Sequence, residues 1–113
     1  MTAIEITHKY FEASNRSDFS EIETFFRDSS TYSSQNTWIF LWKDTIIEMQ
    51  RNFHTSFKKL SWTIDAIQEV KPGIVKIDFT FSWVKNWEVI MSQWIEYIVV
   101  CDWYIQHIEI RNL

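Results

Sequence analysis

Residues 74–110 constrain this chain more than any other stretch. They hold three runs in which apolar side chains alternate with others: Val75-Ile77-Phe79-Phe81, Ile95-Tyr97-Val99, and Tyr104-Gln106-Ile108-Ile110. Period-2 alternation marks strands that bury one face. The breaks between the runs are short, Lys85-Asn86-Trp87-Glu88 and Asp102-Trp103, which predicts antiparallel hairpins. Everything before this meander must supply its cover. Both faces of the last strands also carry apolar residues, with Ile98 and Val100 opposing Val99 and Cys101, and Ile105 opposing Ile108 and Ile110. An antiparallel sheet with one wet face would not be patterned in this way. Helices can cover only one side, so a second copy docked on the other predicts a C2 homodimer through the sheet.

The earlier part of the chain reads as that cover. Thr2 to Asn15 has helical spacing at Ala3, Ile6, Tyr10 and Ala13. Asp18 followed by Glu21 predicts a capped second helix, burying Phe19, Ile22, Phe25 and Phe26 and closing at Arg27-Asp28. Ser30 to Ser34, centred on Tyr32, reads as an edge strand, and Trp38 to Leu41 as a brief one. Thr45 and Glu48 open a third helix to about Phe57, with Ile46, Met49, Phe53 and Phe57 facing the core and Ile47 and His54 beside them. Lys59 to Val70 is a long strand, ended by the Pro72-Gly73 turn. The expected fold is one α+β domain over residues 1–113, three helices against a curved antiparallel sheet.

Composition narrows the function classes. At 113 residues and 46% hydrophobic content, the chain can build one core without staples. The net charge of −4 with unclustered basic residues argues against nucleic acid. Cys101 is alone, so no intrachain disulfide forms, and no cluster has zinc spacing. No metal or cofactor is expected. The N-terminal residues show no signal peptide and no stretch reads as a membrane span, so a cytoplasmic location is the default expectation.

Two stretches carry a family resemblance. Residues 10–32 (YFEASNRSDFSEIETFFRDSSTY) look like the helix, Asp-capped helix and first strand of SnoaL-like and ketosteroid-isomerase-like members of the nuclear transport factor 2-like superfamily. Residues 102–110 (DWYIQHIEI) are similar to that superfamily's final hairpin, and element order agrees from end to end. The resemblance implies a cone, in which a curved sheet wraps an apolar pocket closed by helices, usually in a dimer. A small apolar molecule is then the expected ligand.

The resemblance also nominates site residues. Tyr10 matches a tyrosine that donates to a developing enolate in ketosteroid isomerases, although its position by itself favours a plain core tyrosine with its hydroxyl satisfied. Counting without gaps, that family's base aspartate falls on Ser34, whose hydroxyl cannot abstract a carbon-bound proton unaided. Glu109, within Gln106-His107-Ile108-Glu109, falls on the acidic position of SnoaL-like cyclases and becomes the candidate acid/base. The alternative is that His107, Glu109 and Arg111 form a polar strip at the sheet's rim. His54 is a further acid/base candidate or an ordinary helix residue. The expected ligand-binding set is Tyr10, Tyr32, Ser34, Phe53, His54, His107 and Glu109. Two functions stay open: non-catalytic small-molecule binding, and acid/base chemistry such as isomerisation, cyclisation or hydration.

One composition feature is anomalous: seven Trp and one Gly. Relatives tend to have glycine or small residues where this chain has Trp42, Trp83, Trp87, Trp94 and Trp103. A two-residue type I′ hairpin loop favours Asn-Gly or Asp-Gly, whereas this chain has Asn86-Trp87 and Asp102-Trp103. Either the chain is Trp-rich, or glycines encoded by UGA have been read as Trp at several of these positions and Trp38. Trp62 fits its strand face.

Overall fold

The computed structural model describes residues 1–112. Three helices, α1 (Ala3–Asn15), α2 (Phe19–Ile22) and α3 (Lys43–Thr55), pack on one face of an open, curved sheet of six strands. The strands are β1 (Phe26–Ser34), β2 (Ile39–Leu41), β3 (Lys58–Lys71), β4 (Ile74–Lys85), β5 (Glu88–Cys101) and β6 (Tyr104–Asn112), in spatial order β2-β1-β6-β5-β4-β3. Neighbours run antiparallel except β1 and β6, which are parallel. The sheet is therefore mixed, and β1 lies inside it with β2 at the edge.

Local chemistry fixes the helix ends. Thr2 and Glu5 form a reciprocal capping box at the start of α1. The far end of α1 is tied to the sheet by Asn15. Its Nδ2 donates to the Trp62 carbonyl at 2.9 Å, and its Oδ1 accepts from the Trp62 N–H at 2.7 Å. Asp18 caps α2 by accepting from the Glu21 N–H, but the Glu21 carboxylate turns away to Arg16. The second helix is shorter than its apolar spacing predicts. A 3-10 turn at Glu23–Phe25 ends it, and Phe26 already belongs to β1.

The inner face of β4 follows the alternation read from sequence: Val75, Ile77, Phe79 and Phe81 are all buried. The two-residue loop at Asn86-Trp87 sets the pairing with β5, so Ile77 lies opposite Glu96 and Val75 opposite Ile98. With Ile105, Ile108, Ile6, Ile22 and Ile46 these side chains make one core. Each such burial contributes about 1.5–3 kcal/mol. Ile105 does not oppose Ile108. A bulge on β6 leaves Gln106 extra between the Val99–His107 and Val100–Ile105 pairs, and turns both isoleucines inward.

The buried stripe of α3 also differs from expectation. Ile46, Ile47, Gln50 and His54 are buried, while Phe53 is 37% exposed. The helix begins at Lys43, one residue after Trp42, which gives it no side-chain cap.

Trp42, Trp87 and Trp103 adopt φ of 78°, 69° and 70°. Such backbone disfavours any side chain with a Cβ, at about 1–3 kcal/mol per residue. Gly73, at φ 81°, shows what such a site ordinarily holds: a Cβ there would meet the Val100 carbonyl oxygen at 2.9 Å.

Candidate functional site

A cavity of about 260 Å³ lies between the helices and the inner face of the sheet. β3, β4 and β5 supply an aromatic wall of Trp62, Phe79, Phe81, Trp83 and Trp94. α1 contributes Tyr10 and Ser14, and α3 contributes Gln50, Phe53 and His54. Tyr32 and Ser34 come from β1, and the exposed Asn36 and Thr37 follow at the β1–β2 turn.

The polar groups sit at the buried part of this apolar space. Glu96 is 4% exposed, and its Oε2 is buried without a hydrogen-bond partner. Desolvation raises its pKa from 4.5 to about 8, so the carboxyl is protonated at neutral pH. Tyr10 is buried at 6% exposure and held well above the ordinary phenol range, by burial first and by the nearby Glu96 second. Gln50 Nε2 donates to Tyr10 Oη at 2.8 Å. The phenol oxygen thus accepts from Gln50, and its own proton stays available to another partner. Tyr32 is raised as well, by burial and then by Tyr10 and Glu96.

His54 lines the same cavity, with its ring centre 4.8 Å from Phe19 and 5.0 Å from Trp62. Its Nδ1 lies 2.8 Å from Ser17 Oγ. Burial lowers its pKa to about 4, so the imidazole is neutral at pH 7. The wall therefore presents a protonated carboxyl, two phenols and a neutral imidazole, with no formal charge.

The structure brings Tyr10, Tyr32, Ser34, Phe53 and His54 around the cavity. It does not bring Glu109 or His107 there. Both lie on the opposite face of the sheet, because the bulge at Gln106 reverses the parity that connected them to Ile105. Glu109 pairs there with His107 at 3.1 Å and Arg111 at 3.8 Å, and His107 Nδ1 lies 2.7 Å from Thr31 Oγ1. The polar strip is thus the arrangement this segment adopts, and Glu109 cannot serve as acid/base inside the cone.

Sequence reasoning missed Glu96 and Gln50. A signal for Glu96 existed. Counting across the Asn86-Trp87 loop puts Glu96 opposite Ile77, on the inner face with Ile98. Gln50 gave none beyond a polar residue in a helix, since its burial depends on how α3 is rotated.

No protein-family model matches the sequence, and no curated protein does. Solved structures match across nearly the whole chain. A protein with a ketosteroid isomerase-like fold from Catenulispora acidiphila, in complex with trimethylamine, superposes with a TM-score of 0.85 at 12% identity, covering 99% of this chain and 87% of that one. The chain has the nuclear transport factor 2-like fold. A LEH-like epoxide hydrolase of M. tuberculosis matches at TM-score 0.82 and 14% identity, over 96% of this chain and 80% of its own. A protein named for SnoaL-like polyketide cyclases, from Jannaschia sp., matches at 0.84 and 8%, over 96% and 83%. Identities this low carry the nuclear transport factor 2-like fold and leave the chemistry to the site itself. Among the described residues, no helix is long and apolar enough to cross a membrane, and no group of three or more His, Cys, Asp or Glu could hold a metal ion.

Proposed function

We propose that the cavity binds a small, mostly apolar molecule carrying one hydrogen-bond acceptor, such as a carbonyl or phenolate oxygen. The observation that carries this reading is the buried, unpartnered carboxyl of Glu96 beside Tyr10. A lone buried polar group costs stability unless something pairs with it. A ligand oxygen accepting from protonated Glu96 and from the Tyr10 hydroxyl supplies that pairing, and the aromatic walls hold the rest of the molecule. Gln50 fixes the direction of the Tyr10 proton. Tyr32, Ser34, Phe53 and His54 complete the binding set.

A second reading is acid/base catalysis on the same ligand, favoured by the pKa of Glu96 near 8. A group titrating close to neutrality can give and retake a proton efficiently. Glu96 would then be the acid, Tyr10 the polariser, and the neutral His54 the base.

The binding reading is tested with 2-naphthol against naphthalene, read by quenching of the cavity tryptophans. Glu96→Ala and Tyr10→Phe should each weaken 2-naphthol about tenfold, the worth of one neutral hydrogen bond, and leave naphthalene unchanged. Equal losses for both probes would sink the proposal.

We also propose a homodimer through the outer face of the sheet. There Val89 and Met91, 62% and 67% exposed, share a face of β5 with Ile95, Tyr97 and Val99, with Gln93 between the two groups. Such a strip along a sheet face suits a self-complementary contact. Met91→Asp should convert the protein to monomer in sedimentation equilibrium; a wild-type chain that is already monomeric at high concentration refutes this interface.

A further inference from the structure

We infer that positions 42, 87 and 103 are glycine in the protein as its own cell makes it, with UGA codons there read as glycine rather than tryptophan. Three observations converge. First, these three positions adopt φ of 69° to 78°, a region where glycine is at ease and an indole-bearing residue is not. Trp42 combines φ 78° with ψ 147°, close to a region that is essentially glycine's alone. Second, little holds the indoles in place. Trp87 is 99% exposed, Trp103 68% and Trp42 56%, so none of the three is anchored in the core. Third, the two hairpin loops read Asn86-Trp87 and Asp102-Trp103, with positive φ at both residues of each. Glycine in the second place would make them Asn-Gly and Asp-Gly, the preferred type I′ pairs. The chain's glycines and tryptophans together roughly match the glycine count of an average chain this long.

The consequence reaches the cavity. Any other tryptophan written with the same codon changes with these three, and Trp83 and Trp94 matter most because both line the cavity. Glycine at those two positions removes two indoles from its wall and admits a larger ligand. This consequence rests on the pocket reading above.

The test has two independent parts. Peptides from the protein isolated from its own cells should show glycine masses at 42, 87 and 103, with UGA at each codon. Tryptophan masses there, or UGG codons, overturn the inference. Separately, the W42G/W87G/W103G variant should unfold at a higher denaturant concentration than the tryptophan chain. The W42A/W87A/W103A variant should not match that rise, because alanine shares the positive-φ penalty. Equal midpoints for the glycine and alanine variants would show that strain is not the issue. For the cavity, W83G/W94G should bind the four-ring phenol 1-pyrenol at least tenfold more tightly than the tryptophan chain does. Failure of 1-pyrenol with glycine masses in hand refutes the pocket reading and spares the recoding; tryptophan masses do the reverse.

Discussion

Glu96 on β5 and Glu109 on β6 sit on adjacent strands, opposite Ile110 and Tyr97 respectively, and point to opposite sides of the sheet. Glu109 stays partly open to water and is met by His107 and Arg111. Glu96 is buried against the aromatic cavity with no partner for Oε2. The same side chain is an ion-pair member on one face and a neutral, unpartnered carboxyl on the other. Solvent and neighbours, not residue type, set which role a carboxyl takes.

The largest break of this comparison is Glu96→Gln. The folded-state pKa of Glu96 is raised to about 8 from 4.5, so its favourable contribution is complete below pH 4.5 and is lost as pH rises toward 8. At pH 7 that loss is on the order of 3 kcal/mol. Urea unfolding from pH 4 to 9 should show Glu96→Gln gaining stability relative to wild type as pH rises, and matching it at the acid end. Glu109→Gln should shift stability by less than about 0.5 kcal/mol, as expected for a partly exposed pair. Identical pH slopes for the two variants would erase the distinction between the faces.

Next in size is the hydrogen bond behind each carboxyl. Tyr10→Phe leaves Gln50 Nε2 buried without an acceptor and should cost about 1–3 kcal/mol. Thr31→Val, which removes the bond to His107 on the outer face, should cost about 0.5–1.5 kcal/mol at most. Chemical denaturation at pH 6 compares them directly, and an equal or larger loss for Thr31→Val would contradict the ranking.

Opposite in sign to the Glu96 effect is the one at the acid limb. His54 has its pKa lowered to about 4, so its contribution is present above pH 6.5 and is lost as pH falls through 4. It opposes the Glu96 trend between pH 4.5 and 6.5. In a Glu96→Gln background, wild-type His54 should leave a residual fall in stability on acidification, and adding His54→Gln should flatten it. A residual slope that survives both substitutions would assign it elsewhere.

The sequence by itself determined the meander, its two tight hairpins, the inner face of β4 and the first helix, because each follows from near neighbours in the chain. Period-2 burial, a capping box and a two-residue loop are local rules, and they hold for Val75 to Phe81, for Thr2 with Glu5, and for Asn86-Trp87. The family resemblance pointed to Tyr10 and the Ser34 position, and both line the cavity with Tyr32 and His54. Tertiary structure alone decided which carboxyl faces the cavity. One extra residue on β6, Gln106, inverts every later side chain on that strand, so Glu109 left the cavity; the rotation of α3 buried Gln50 behind Tyr10. A bulge and a helix rotation are settled by packing between elements distant in sequence, and no local pattern records them.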